Sequence, residues 1–150
     1  LDDFNLIADQ VNPTLGSEIL STGDSDWNVG AAAWSISGGV LSYDASGTAD
    51  CNFITPSLVA GKTYKLVFTI STTGQLAIRD ASGDEYVAST SYSAGTYTLY
   101  FTAVGNDDFV IRGLSDESTF DITSYSLKQV NGNPGIMTNM ASDDIVSDTP

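Results

Sequence analysis

The residues of this chain that could do chemistry are aromatic rings and carboxylates, because the usual catalytic bases and nucleophiles are missing. The sequence contains no histidine, and Cys51 is its single cysteine. These counts exclude Ser-His-Asp and Cys-His catalysis, histidine-ligated zinc and a disulfide within the sequence. Cys51 lies between Asp50 and Asn52 and is expected to pack as a small apolar residue rather than to act as a nucleophile.

Five aromatic side chains are candidates for binding a glycan, since a sugar ring packs on an exposed aromatic ring while polar neighbours bond its hydroxyls. They are Trp27, Tyr43, Tyr86, Tyr92 and Tyr100. Alternation along a strand places Tyr100 on the face opposite Leu99 and Phe101. The competing interpretation is that these rings pack between sheets or cover sheet edges. Trp34, which alternates with Ile36, is predicted to lie in the core.

Acidic side chains supply the second candidate chemistry. Calcium binds carboxylate and carbonyl oxygens, which the chain could supply from Glu18, Asp24, Asp26, Asp107, Asp108 and Asp121. No EF-hand spacing occurs, and acids in turns usually serve as solvated turn formers, so a structural calcium is one of two interpretations. A carboxylate pair could hydrolyse a glycosidic bond, but the sequence places no two acids across a cleft. The chain is therefore predicted not to be an enzyme.

Composition limits the partners. Nineteen acids against five bases give a net charge of −14. Because phosphate contacts need Lys and Arg, neither nucleic acid nor an anionic membrane surface is an expected partner. No apolar run approaches the ~20 residues of a membrane span. At 150 residues and 41% hydrophobic, the chain is long and apolar enough for one domain with a core.

The elements that must position these residues are β-strands. Residues 58–71 predict a strand on which Tyr64, Leu66, Phe68 and Ile70 share one face, while Lys65, Val67 and Thr69 lie on the other. Residues 94–103 read AGTYTLYFTA and repeat the AGKTYKLVFT of the first strand with one deletion. Here the apolar row consists of Tyr97, Leu99, Phe101 and Ala103. The repeat predicts two long inner strands of one β domain.

Turn signals divide the rest of the chain into short strands. The Gly38-Gly39 pair predicts a hairpin between strands at residues 34–36 and 40–43, and further strands are expected at 49–54, 109–112 and 120–130. With roughly nine or ten strands and no helical pattern in the body, the sequence predicts an all-β jelly-roll β-sandwich over residues 17–130.

The two ends of the chain have a different character. Residues 1–16 and 131–150 show neither a strand period nor a helical stripe, and we predict extended N- and C-terminal arms. Arms without a core of their own are expected to be held by a neighbouring subunit. The predicted partner contacts are Phe4, Leu6, Ile7, Ile136, Met137, Met140, Ile145 and Val146.

An ordered set of motifs between Gly16 and Val130 resembles a known domain. The motifs are DSDW, AAWSISGG, GKTYKLVF and AGTYTLYFT, in that order. They resemble the carbohydrate-binding-module jelly rolls attached to cellulases and xylanases, and more closely the version of that domain found in bacteriophage structural proteins. The terminal NPGIMTNMASDDIVSDTP is similar to tails of phage virion proteins. In the enzyme-attached relatives, acids near the first strand and in the last strand often hold a structural calcium, and Glu18 and Asp121 match those positions.

The resemblance implies a non-enzymatic virion protein, either a capsid decoration subunit or part of a tail or fibre, on the virion surface. Its partners would be other virion proteins and copies of itself, reached through the arms, together with host-surface glycans. No cofactor is expected other than the candidate calcium. The alternative function is a secreted glycan-binding module of a polysaccharide-degrading enzyme. A likeness of fold does not by itself transfer sugar binding.

Overall fold

The computed structural model describes residues 14–29, 33–53, 58–114 and 119–131. Within those ranges the secondary structure is almost entirely β, with one 3-10 turn at Asp24–Asp26. The strands are β1 (Leu15–Glu18), β2 (Trp27–Asn28), β3 (Trp34–Ser37), β4 (Val40–Tyr43), β5 (Ala49–Phe53), β6 (Thr63–Ile70), β7 (Gly74–Asp80), β8 (Glu85–Tyr92), β9 (Gly95–Thr102), β10 (Phe109–Gly113) and β11 (Phe120–Val130).

Two sheets face each other across the core. Sheet A has the order β3-β4-β11-β6-β9, with β1 paired to the far part of β11, and sheet B has the order β2-β5-β10-β7-β8. From β4 onward the chain crosses repeatedly between the sheets, so that β4-β11-β6-β9 and β5-β10-β7-β8 form the two four-stranded layers of a jelly roll. The predicted all-β jelly-roll sandwich is confirmed, with the very short β1 and β2 added.

The two strands of similar sequence, β6 and β9, are direct neighbours. They pair antiparallel from Thr63 opposite Thr102 to Ile70 opposite Gly95. The strand β6 buries alternate residues and lies inside sheet A, as predicted. The prediction is wrong for β9, which is an edge strand of sheet A among the described residues. Strand order depends on how the chain crosses between layers, and a strand's own sequence does not record it.

The predicted hairpin at Gly38-Gly39 is confirmed. Strands β3 and β4 pair from Trp34 opposite Tyr43 to Ser37 opposite Val40. Both glycines have positive φ, 58° and 80°, as a type I′ turn requires. The Asp24 carboxylate accepts hydrogen bonds from both glycine N–H groups, at 3.3 Å and 3.2 Å, and so ties the 3-10 turn to the hairpin.

An aromatic cluster of Trp34, Tyr43 and Phe120 fills one end of the core, with ring centroids 5.1 to 5.7 Å apart. Trp34 is buried, as predicted. Sheet B makes room for the rings with glycines, since a Cβ at Gly113 would lie 2.5 Å from Tyr43 and one at Gly74 would lie 2.2 Å from Phe120. Both glycines are therefore required by packing.

Cys51 has no exposed surface, and burial raises the pKa of its thiol to about 12. A thiol that stays protonated is a poor nucleophile, so the expectation that Cys51 packs as a small apolar residue is confirmed.

The predicted arms fall almost wholly outside the described residues, which begin at 14 and end at 131. This applies to all eight predicted partner contacts: Phe4, Leu6, Ile7, Ile136, Met137, Met140, Ile145 and Val146. Their role stays a prediction. The strand β1 begins at Leu15, just inside the predicted N-terminal arm. In the part of the chain that the structure describes, no helix is long and apolar enough to span a membrane.

Candidate functional site

The outer face of sheet A is polar and rich in hydroxyl groups. Because β6 turns Tyr64, Leu66, Phe68 and Ile70 into the core, the alternate residues of β6 and of its neighbours β9 and β11 point outward. The outward residues are Thr63, Lys65, Val67, Thr69, Thr96, Thr98, Tyr100, Thr102, Ser124, Ser126 and Lys128. The only large side chain that this face exposes by half is Tyr100, at 51%.

One row across this face combines an aromatic ring with two cations. The register places Lys128 opposite Lys65 and Lys65 opposite Tyr100, so the three side chains are consecutive cross-strand neighbours on β11, β6 and β9. The Lys65 Nζ atom lies 6.0 Å from the centroid of the Tyr100 ring. Among the described residues the one ion pair joins Arg112 and Asp50 on the other sheet, so neither lysine of the row has a carboxylate partner.

Hydroxyl pairs surround the row and tie the strands together. The Thr63 and Thr102 hydroxyls are 3.1 Å apart, and those of Thr69 and Thr96 are 2.8 Å apart. Ser124 donates from its hydroxyl to that of Thr69 at 2.9 Å. These cross-strand bonds fix the side chains of the face on a rigid sheet, which suits a binding platform.

Exposed apolar side chains collect at one end of this face. In the described part of the chain the exposed large hydrophobic residues are Val59, Tyr100 and Val104. The turn that carries Val59 is held against the end of β9, because Gly61 N–H donates to the Ala103 carbonyl at 2.7 Å. The two valines therefore lie at the corner where β6 begins and β9 ends, next to the half of the face that carries Tyr100.

Three of the five predicted sugar-stacking rings are core residues. Trp27 is 5% exposed, Tyr43 2% and Tyr92 6%. Trp27 packs edge-on against Phe53 and Tyr125, and Tyr92 packs edge-on against Phe68. A ring that is covered on both faces offers nothing to a sugar, so the prediction is wrong for these three residues. They follow the alternative that aromatics pack between sheets.

Tyr86 is half-buried, and both its ring and its hydroxyl contact other residues of the chain. Its ring stacks on Phe101 with centroids 4.9 Å apart, and its hydroxyl donates to Asp80 at 3.0 Å. Burial, followed by the hydrogen bond and negative charge of Asp80, raises the pKa of Tyr86 above its ordinary value. Asp80 is itself buried and accepts the backbone N–H groups of Gly83 and Asp84 at 2.8 Å. The ring is therefore covered by Phe101 of β9, and its hydroxyl is held by Asp80 at the β7–β8 turn.

The predicted calcium pair, Glu18 and Asp121, is separated along β11. Glu18 is opposite Lys128, seven positions from Asp121 at roughly 3.3 Å per residue. The Glu18 carboxylate accepts the N–H groups of Leu127, Ile19 and Leu20 at 2.7, 3.1 and 3.2 Å, and the Ser126 hydroxyl. Two carboxylates some 20 Å apart cannot bind one ion. Glu18 instead closes the irregular pairing of β1 with β11, so this prediction is wrong.

Two of the other acids considered for calcium also bond to the chain itself. Asp24 holds the β3–β4 turn, and Asp107 accepts from Ser82 and from the Asp108 N–H at 2.8 Å. The described ranges contain no group of three or more His, Cys, Asp or Glu side chains suited to a metal.

The outer face of sheet B is built differently. Arg112 bonds to Asp50 at 2.9 Å, and Arg79 donates from Nε to the Asp80 carbonyl at 3.1 Å. Val110 and Ala77 point outward by alternation, yet are 0% and 1% exposed, so neighbouring groups cover them. The outward positions of β5, β7 and β10 carry no aromatic residue. This face is satisfied by its own contacts.

Solved structures with the same fold are carbohydrate-binding modules. A point variant of CBM29-2, a family 29 module, matches 84% of this chain and 98% of its own at 10% identity, with a TM-score of 0.50. Two further family 29 variants match 92% and 90% of the chain, covering 100% and 91% of theirs, each at 10% identity and a TM-score of 0.51. The chain therefore has a carbohydrate-binding-module-like β-sandwich fold. No protein-family model matches it, and no curated protein is similar to it in sequence.

Of the five predicted rings, Tyr100 alone is strongly exposed on an open face. Its neighbours Lys65 and Lys128 are not among the site residues predicted from the sequence. The alternation of β6 places Lys65 on the outer face, but its position opposite Lys128 depends on the β6–β11 register. That register joins strands more than fifty residues apart in the chain and has no local signal in the sequence.

Proposed function

We propose that this protein is a non-catalytic glycan-binding module and that it binds sugar on the outer face of sheet A. The observation that carries the proposal is Tyr100, an aromatic ring that is 51% exposed and lies on the edge strand β9, at the end of the row that Lys128 and Lys65 begin. Such a ring offers a flat apolar surface on which a sugar ring can pack. Its place on a strand rather than a loop favours a fixed ligand geometry.

The neighbours of Tyr100 have the chemistry that a sugar needs. Thr98 and Thr102 flank it on β9, and Lys65 lies opposite on β6. Hydroxyl groups both donate and accept hydrogen bonds, and lysine donates, so together they complement sugar hydroxyls around a stacked ring. The fold that the chain shares with carbohydrate-binding modules supports the same function.

Affinity electrophoresis and titration calorimetry against a panel of soluble neutral and acidic polysaccharides test the proposal. Tyr100→Ala is expected to lose at least tenfold in affinity, because the stacking surface is removed, while Tyr100→Phe keeps most of it. Asn52→Ala, on the outer face of sheet B, is the matched control and should bind like the parent protein. Binding by Tyr100→Ala at parental strength would overturn the proposal.

The virion role stays a prediction of the sequence resemblance, as does location on a virion surface. It depends on the terminal segments, where the predicted partner contacts lie. The check is which chains contact residues 1–16 and 131–150 in a purified particle. Contacts with shell or tail proteins would support a decoration or fibre subunit. A chain that is continuous with a glycoside hydrolase would instead support the secreted-module alternative.

A further inference from the structure

The outer face of sheet A brings two positive charges side by side. Lys65 and Lys128 are directly opposite on adjacent strands, where like charges destabilise a sheet. Neither is in an ion pair within the described ranges. The nearest acid in the row, Glu18, is opposite Lys128, but its carboxylate is taken up by three backbone N–H groups and the Ser126 hydroxyl.

This pairing stands out against the composition of the chain. The sequence has 19 acids and only five bases. All five bases lie in the described part of the chain. Arg112 is paired with Asp50, and Arg79 is directed to the β7–β8 turn. Two of the remaining three bases are cross-strand neighbours on the face that carries the exposed ring. A net charge of −14 repels polyanions in general, so an anionic ligand would need such a local cationic site.

We infer that the glycan bound on the outer face of sheet A is an anionic saccharide, with its acidic group between Lys65 and Lys128 and its sugar ring on Tyr100. The inference rests on the proposed function and specifies the ligand class. Lys65 Nζ is 6.0 Å from the Tyr100 centroid, so a sugar stacked on the ring brings a carboxylate or sulfate on its edge beside the ammonium group. Charge-assisted hydrogen bonds from two ammonium groups are stronger than those made to a neutral hydroxyl.

Matched pairs of polysaccharides test the inference by calorimetry at low salt. The pairs are polygalacturonate with its carboxyl-reduced form, and dextran sulfate with dextran, so that each pair differs only in charge. We expect at least one anionic member to bind at least tenfold more tightly than its neutral partner. Which pair shows the difference identifies the acidic group. The affinity should fall several-fold between about 20 mM and 500 mM NaCl, because salt screens the ammonium–anion attraction.

Substitutions separate this inference from the proposed function. The double variant Lys65→Gln/Lys128→Gln is expected to lose the preference for the anionic chain while keeping any neutral binding that depends on Tyr100. Lys62→Gln, in the turn before β6, removes a positive charge away from the row and should keep the preference. Unchanged melting temperatures show that each variant is folded.

Two results would overturn the inference alone: equal binding to both members of each pair, or a double variant that retains the anionic preference. In either case Tyr100-dependent binding would leave the glycan-binding proposal standing. If the parent protein binds no polysaccharide of the neutral or anionic panel, both proposals fail.

Discussion

The two outer faces of this sandwich differ in how their charged and apolar side chains are paired and covered. On sheet B, Arg112 bonds to Asp50 and the outward Val110 is completely covered. On sheet A, Lys65 is opposite another lysine, Val67 is partly exposed, and the Tyr100 ring is 51% exposed. A face whose groups satisfy one another contributes stability. The face that exposes a ring beside two lysines without carboxylate partners is the one proposed to bind a ligand.

The largest difference is expected from equal truncations of the two outward valines. Val110→Ala should lower the free energy of unfolding by about 2 kcal/mol, because a fully buried side chain loses its transfer free energy and leaves a cavity. Val67→Ala should cost less, about 1 kcal/mol, since that side chain is partly exposed in the folded protein. Urea denaturation of both variants measures the difference. Equal losses would contradict the contrast between the faces.

The second effect concerns Glu18, which ends the row of sheet A. Glu18→Ala should cost about 1 to 2 kcal/mol, because the part-buried N–H groups of Leu20, just after β1, and of Leu127, in β11, lose their acceptor. Adding calcium or a chelator should leave the thermal midpoint of the parent protein unchanged, since the carboxylate is already occupied. A midpoint that rises with calcium in the parent but not in Glu18→Ala would restore the calcium interpretation.

The third effect compares charges on the two faces. Asp50→Asn should destabilise the protein by at most about 1 kcal/mol, because the Arg112–Asp50 pair is about one-third exposed and solvent screens it. Lys65→Gln should be neutral or stabilising by a few tenths of a kcal/mol, because it removes the repulsion from Lys128. Denaturation at low and at high salt provides the measurement. A loss of stability in Lys65→Gln equal to that in Asp50→Asn would mean that Lys65 has a structural partner.

The smallest effect belongs to Asp107, which lies before β10 and on neither face. Hydrogen bonds from Ser82 and from the Asp108 N–H hold the pKa of this carboxyl below 3.8, its ordinary value. The stabilisation that the ionised Asp107 carboxylate contributes to the folded protein is therefore complete above pH 3.8. It is lost as the pH falls through the lowered pKa that this carboxyl has in the folded state.

Asp107→Asn lacks this contribution. The difference in free energy of unfolding between parent and variant should therefore decrease as the pH is lowered from about 5 to about 2. The residue is partly exposed and solvent screens its carboxylate, so the change should be a few tenths of a kcal/mol. Denaturation midpoints across that range measure it. A gap that widens on acidification would reverse the assigned direction of the pKa shift.

Much of the fold was predictable because its signals are local. The alternation of Tyr64, Leu66, Phe68 and Ile70 predicted the buried face of β6, and Gly38-Gly39 predicted the hairpin. Strand order was less accessible: β9 has nearly the sequence of β6 but occupies an edge. The similarity of two strands records their common alternation and contains no information about which neighbours each will have.

The candidate site was predictable only in part. Tyr100 could be selected from its alternation with Leu99 and Phe101, which the structure confirms by its exposure. Trp27, Tyr43 and Tyr92 carry the same chemistry and were wrongly selected, because whether a ring is covered depends on the opposite sheet. Gly113, for example, leaves the space that Tyr43 fills.

By itself, the sequence determined that this protein is an all-β domain without histidine chemistry, strongly acidic and with an outward Tyr100. Composition and the two-residue period of a strand are enough for those conclusions. Only the tertiary structure decided that Lys65, Lys128 and Tyr100 form one row and that Glu18 and Asp121 lie far apart. Both facts follow from the register of strands distant in the chain, which is set when the two sheets pack around a common core.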